Sequence, residues 1–166
     1  SRSISFLIVG VLFRMFGAFP VDRQGADLAA LREAQRVVKE GFLLLMFPEG
    51  TRARDRQLGS GYPGAALVAY RTGAPMIPVA VTGTEHFSWP WLFVRPFLGP
   101  RVTIRFGEPF YPPAAQRITT QAAREATDDM MVHVAELLPP AYRGSYAEEV
   151  ERRHAERARA AAAGRV

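Results

Sequence analysis

Cysteine is absent from the 166 residues, and this absence excludes disulfide bonds, thiolate metal sites and a cysteine nucleophile. Lysine occurs once, at Lys39, so arginine carries nearly all of the positive charge. Lys and Arg together number 21 against 16 Asp and Glu, which gives a formal net charge of +5. The sequence pI of about 10.2 permits an anionic partner, which could be a nucleic acid, an acidic carrier protein or a membrane surface.

Long hydrophobic runs are also missing. The most apolar stretch, residues 4–13, is about half of the roughly 20 residues that a membrane-spanning helix needs. It has neither a basic leader of any length nor a small-residue cleavage site, so a signal peptide is not predicted. We interpret it as a buried helix or as the end of a longer segment that begins before Ser1.

Segments of helical and strand-like pattern alternate along the chain. Asp27 is the predicted N-cap of a helix that ends near Glu40. The run FLLLMF at 42–47 is continuously apolar, which is typical of a strand buried on both faces. Further strands are predicted at 18–22, 76–82 and 102–106, and further helices at 3–16, 65–72 and 120–138. This order predicts an α/β fold, a single mixed sheet flanked by helices.

The last part of the chain has a different composition. Residues 145–163 are mostly Glu, Arg and Ala with almost no apolar stripe, so we predict an exposed C-terminal helix. The expected organisation is therefore one domain over residues 1–140, followed by a charged helical tail over 141–166.

A polar loop follows the strand predicted at 42–47, and its first residues suggest an anion site. The turn Glu49-Gly50-Thr51 exposes backbone N–H groups, Thr51 adds a hydroxyl, and Arg52 adds a bidentate fork. Such a set can hold a phosphate monoester. The alternative is a tight turn with a solvated arginine. Arg23 also follows a predicted strand and could face the same ligand, although an ordinary surface ion pair is the better explanation of this segment taken alone.

Three motifs together resemble a known family. GAFPVDR at 17–23, FPEGTR at 47–52 and PMIPV at 75–79 occur in the order, and at about the spacing, of the glycerolipid acyltransferases. The chain resembles the 1-acylglycerol-3-phosphate acyltransferases of that family over about residues 13–110. The resemblance implies a glycerolphosphate-acyltransferase-like fold. It also implies transfer of a fatty acyl group from an acyl thioester to the hydroxyl of lysophosphatidic acid or a related lysophospholipid, in phospholipid biosynthesis.

The resemblance also implies roles for residues and partners. Arg23, Thr51 and Arg52 would hold the acceptor phosphate at the Gly50 turn, and Glu49 would shape the turn or hydrogen-bond the glycerol. The donor would be acyl-CoA or acyl carrier protein as co-substrate, with no cofactor and no metal. A nucleic-acid partner is not predicted, because the loop arginines are not interleaved with aromatic residues.

Membrane association is the remaining expectation. We expect the protein at the cytoplasmic face of a membrane, bound peripherally or anchored through residues before Ser1. The aromatic run at 87–97, which holds both tryptophans, is either a membrane-interface patch or a loop whose rings cover the sheet edge.

The catalytic block of the family is missing from the sequence. In the family, a histidine followed five residues later by an aspartate acts as general base on the acceptor hydroxyl. Here the three histidines, His86, His133 and His154, are followed at that spacing by Trp91, Leu138 and Arg159. We therefore expect no catalytic residue in this chain and place the block before Ser1, in an N-terminally truncated domain. The alternative is a non-catalytic lipid-phosphate-binding pseudoenzyme of the same fold.

Overall fold

A computed structural model describes residues 17–19, 27–51, 55–84, 101–112 and 118–163. The chain divides into two compact units, residues 1–44 and 45–166. Several sequence predictions fall outside the described residues, namely the helix at 3–16, most of the strand at 18–22, Arg23, Arg52, His86 and the aromatic run at 87–97.

The described helix of the first unit begins where the sequence predicts. Helix α1 spans Leu28–Lys39, and the Asp27 carboxylate caps it by accepting the N–H of Ala30 at 2.9 Å. The cap satisfies one of the backbone donors that the first turn of a helix leaves without an intrahelical partner. Ala30 and Ala34 are buried. The predicted helix and its N-cap are therefore confirmed.

The prediction of a buried strand at 42–47 is wrong. These residues adopt no regular secondary structure, and Leu43 and Phe47 expose 86% and 75% of their surface. An apolar run forms a buried strand only when neighbouring strands take up its backbone N–H and C=O groups. None of the strands that the structure describes pairs with it.

The second unit contains the remaining described elements. They are α2 (Gly64–Thr72), β1 (Val79–Thr82), β2 (Thr103–Phe106), α3 (Thr120–Leu137), two short 3₁₀ turns (Pro140–Tyr142 and Gly144–Tyr146) and α4 (Ala147–Ala163). The strands pair antiparallel, with Val79 opposite Phe106 and Thr82 opposite Thr103. The predicted helices at 65–72 and 120–138 and the strand at 102–106 are confirmed to within a residue. The strand predicted at 76–82 is shorter, because Met76 makes only an isolated bridge to Phe110.

Helix α3 lies at the centre of the second unit and contacts β1, α2 and α4. Its buried face includes Met131 and Ala135, which share one hydrophobic core with Leu58, Ala80 and Val150. Helices around a small antiparallel sheet are consistent with an α/β protein, although the sheet described is two-stranded rather than the larger mixed sheet expected. None of the described helices is both long and apolar enough to cross a membrane.

The C-terminal helix α4 is mostly exposed, as predicted, but its first turns are docked. Val150 is fully buried against the core. Arg153 extends to α3 and forms an ion pair with Asp129 at 2.5 Å, and Arg157 reaches Glu136 of the same helix at 3.0 Å. The helix is thus held to α3 by one apolar contact and two ion pairs.

We expect Val150→Ala to lower the free energy of unfolding by about 1–2.5 kcal/mol, because it leaves a cavity in a closed part of the core. Val102→Ala is the matched control, since Val102 is 41% exposed and its truncation should cost less than half as much. Urea unfolding of both variants gives the comparison. Equal costs would show that α4 is not docked.

Candidate functional site

The loop that begins with the predicted phosphate-binding turn is closed at its base. The N–H of Tyr62 donates to the carbonyl oxygen of Pro48 at 2.8 Å, and the N–H of Gly50 donates to that of Phe47 at 3.0 Å. The two ends of the segment 48–62 therefore lie side by side. We call this segment the phosphate loop, after the ligand that the sequence predicts for it; the structure describes its residues 48–51 and 55–62. Its position does not depend on the end of a strand, as the sequence suggested, but on these contacts.

The Glu49 carboxylate makes a second closure inside the phosphate loop. Its Oε2 accepts the backbone N–H of Gly59 at 2.9 Å. A hydrogen bond to an ionised acceptor is stronger than one between neutral groups, so this bond restrains the outgoing and returning legs together. The geometry is that of a residue that shapes the turn, and a contact of Glu49 with the substrate glycerol stays a prediction.

The described residues on either side of the tip of the phosphate loop are exposed. Thr51 is open to solvent, and the N–H of Gln57 donates to the Asp55 carboxylate at 3.1 Å. Arg56 has a φ of 64°, a left-handed backbone that is uncommon for a residue other than glycine. Of the five predicted binding residues, the structure brings Glu49, Gly50 and Thr51 together in sequence order. Arg23 and Arg52 lie outside the described residues.

The returning leg of the phosphate loop rests on the core of the second unit. The Leu58 side chain is buried, and its N–H donates to the carbonyl oxygen of Tyr142 at 2.9 Å. Gly61 lies so close to α3 that an added methyl group would come within 2.9 Å of the Met131 side chain. These contacts could not be predicted from the sequence, because they join segments far apart along the chain.

Tyr146, in the second 3₁₀ turn, interacts electrostatically with residues of the phosphate loop. Burial raises the pKa of the Tyr146 hydroxyl above its ordinary value, and the negative charges of Asp128 and Glu49 act in the same direction. The Gly61 backbone acts in the opposite direction. The surroundings of Tyr146 thus include both legs of the phosphate loop and one acidic residue of α3.

The structure describes two of the three histidines, His133 and His154. The His133 ring stacks on Phe110 with centroids 4.0 Å apart, and its Nε2 lies 3.8 Å from the Asp129 carboxylate. His154 is exposed on α4. Within the part of the chain that the structure describes, no group of three or more His, Asp or Glu residues could hold a metal ion.

Comparison with known proteins places these residues in a family context. Residues 2–82 match the family described as Acyltransferase, and this segment contains the whole of the phosphate loop. A chloroplastic 1-acyl-sn-glycerol-3-phosphate acyltransferase of Brassica napus is 34% identical over 79 residues, which cover 46% of this chain and 23% of that protein. The 1-acyl-sn-glycerol-3-phosphate acyltransferase of Streptococcus pneumoniae is 34% identical over 103 residues, which cover 61% of this chain and 35% of that protein.

The chain therefore spans only about a quarter to a third of the length of these relatives. No solved structure matches it.

Proposed function

We propose that this chain, whose residues 2–82 match the acyltransferase family, is part of an enzyme that transfers a fatty acyl group to lysophosphatidic acid or a related lysophospholipid. The reaction would serve phospholipid biosynthesis. The observation that carries the proposal is the FPEGTR sequence at 47–52, which lies inside the segment that matches the family and begins the closed phosphate loop.

The residues of the phosphate loop suit a phosphate monoester. Thr51 offers a hydroxyl at the exposed tip, and Arg52, the next residue, carries a guanidinium whose paired N–H groups fit two phosphate oxygens. We propose that Arg23 contributes a second guanidinium. Glu49 would keep the turn at Gly50 in shape through its bond to the Gly59 N–H.

The proposed chemistry is acyl transfer without a covalent enzyme intermediate. The acceptor hydroxyl attacks the thioester carbonyl carbon, an ester bond forms, the C–S bond breaks, and the hydroxyl proton finally reaches the departing thiolate. A histidine outside these 166 residues would take that proton as general base, because no histidine of the chain has an aspartate five residues after it. Acyl-CoA or acyl carrier protein would be the thioester donor, with no cofactor or metal.

We propose that the acyltransferase domain covers residues 1–140 and has the glycerolphosphate-acyltransferase fold. Residues 141–166 would form the charged tail. The substrates are lipids, so the enzyme would work at a membrane surface, on its cytoplasmic face.

One observation favours a second candidate function. The chain has the phosphate loop but no histidine with an aspartate five residues later. These are the features expected of a pseudoenzyme that binds a lipid phosphate without catalysing a reaction. The two candidates differ only in whether a base exists in the full-length protein.

An acyl-transfer assay on the full-length protein that contains this chain separates the two. With oleoyl-CoA and lysophosphatidic acid, we expect free CoA and phosphatidic acid to form in equal amounts. Omission of lysophosphatidic acid is the control and should abolish most CoA release. Binding of lysophosphatidic acid without product would support the pseudoenzyme, and neither binding nor product would refute both candidates.

A further inference from the structure

We propose that Gly144, in the turn that follows α3, is a positioning residue for the phosphate loop: it holds the returning leg and, through Glu49, the turn at Gly50 and Thr51 in the place where they meet the acceptor phosphate. The inference rests on the proposed function, because it takes the phosphate loop to bind the acceptor phosphate. Gly144 itself lies outside the segment that matches the family.

The contact between the two segments is made by backbone atoms. The Leu58 N–H donates to the Tyr142 carbonyl oxygen at 2.9 Å, and a methyl group added to Gly144 would overlap the Leu58 carbonyl oxygen. The turn around Gly144 is itself restrained, because the Arg143 side chain donates from Nε to the Leu138 carbonyl oxygen at 3.1 Å. The returning leg therefore contacts a turn that is itself hydrogen-bonded to the C-cap residue of α3.

Restraint of the returning leg reaches Gly50 and Thr51 through Glu49. Leu58 is followed by Gly59, whose N–H is the donor to the Glu49 carboxylate, and Glu49 directly precedes the turn that carries Thr51. A shift of Leu58 must therefore move the Gly59 N–H, stretch this hydrogen bond, or displace the first residues of the loop. A methyl group at Gly144 forces such a shift, since backbone atoms cannot swing aside as a flexible side chain can.

A matched glycine separates backbone strain from this collision. Gly144 has a φ of 55° and Gly73, at the end of α2, has a φ of 70°. Alanine at either position pays the cost of a left-handed backbone. At Gly73, however, an added methyl group meets nothing within 4 Å. Gly73→Ala thus reproduces the strain without the displacement.

The test measures steady-state kinetics of the full-length enzyme with oleoyl-CoA and lysophosphatidic acid. We expect Gly144→Ala to raise the acceptor KM about 5- to 50-fold, because an ångström-scale displacement of a binding group can cost up to about 10²-fold. The donor KM and kcat should change less than twofold. Gly73→Ala should also lower the melting temperature, by less than Gly144→Ala because it adds no collision, while leaving the acceptor KM unchanged.

A second variant covers the case in which Gly144→Ala does not fold. Gly144→Asn relieves the backbone strain, since asparagine tolerates positive φ better than alanine, but it keeps the overlapping Cβ. It should also raise the acceptor KM. In addition, amide exchange at residues 58–62 should be faster in either Gly144 variant than in Gly73→Ala.

The Arg52→Ala variant distinguishes failure of this inference from failure of the proposed function. If Gly144 acts through the loop, Gly144→Ala should add much less than its full effect in an Arg52→Ala background. A raised acceptor KM in Arg52→Ala with a normal one in both Gly144 variants would overturn the inference alone. Equal effects of Gly144→Ala and Gly73→Ala on KM, or loss of folding in both Gly144 variants, would also overturn it. Normal acceptor KM in Arg52→Ala would instead refute the proposed phosphate site.

Discussion

The 166-residue chain by itself is expected to show no acyltransferase activity. None of its three histidines has an aspartate five residues later, so the base that the proposed reaction needs is not in the sequence. Loss of a general base costs a factor of about 10² to 10⁴ in rate, and loss of other parts of a full-length enzyme would add to that. The measurement is release of CoA from oleoyl-CoA with lysophosphatidic acid as acceptor.

Two controls make this negative result informative. Circular dichroism should show helices in the purified chain, and the full-length protein should turn over under the same conditions. Robust turnover by the 166 residues would contradict the prediction. In that case His86→Ala should abolish the activity, because His86 is the histidine that follows the PMIPV motif and could serve as an unrecognised base.

Local features of the fold could be predicted because their causes lie within a few residues. The cap of α1 needs only Asp27 and an N–H three residues later. The bounds of α3 follow from its apolar spacing and from Pro139 and Pro140, which cannot continue a helix. The strand expected at 42–47 is different, because an apolar run becomes a strand only through partners elsewhere in the chain. No local pattern reports whether those partners exist.

The same division applies to the candidate site. The Glu-Gly-Thr turn could be predicted, since it depends on three adjacent residues. Its support was not, because the Leu58 backbone meets Tyr142 and Gly144 from a distant part of the chain. A glycine in a tail-like region has many possible reasons to be there, and only the fold shows that Gly144 lies against the loop. The residues that orient a site are thus harder to find from sequence than the residues that form it.

The other large effect is expected at Arg52. If Arg52 binds the acceptor phosphate in the full-length enzyme, Arg52→Ala should raise the acceptor KM by roughly 10- to 150-fold, since a charge-assisted hydrogen bond is worth about 1.5–3 kcal/mol. Arg52→Lys should restore only part of the loss, because an ammonium group cannot replace a two-pronged guanidinium. The donor KM should barely change, since the thioester does not contact this residue in the proposed arrangement.

Arg54 and Arg56 provide controls within the same loop, because alanine at either position changes the net charge as Arg52→Ala does. Arg56 is exposed, and we expect alanine at either position to have the small effect that is typical of a solvated charge. A normal acceptor KM for Arg52→Ala would contradict the assignment, and so would equal defects in all three alanine variants. Equal defects would mean that the loop attracts the phosphate by its overall charge. A defect confined to Arg52 would instead require a directed bond, which only a loop of fixed conformation can supply.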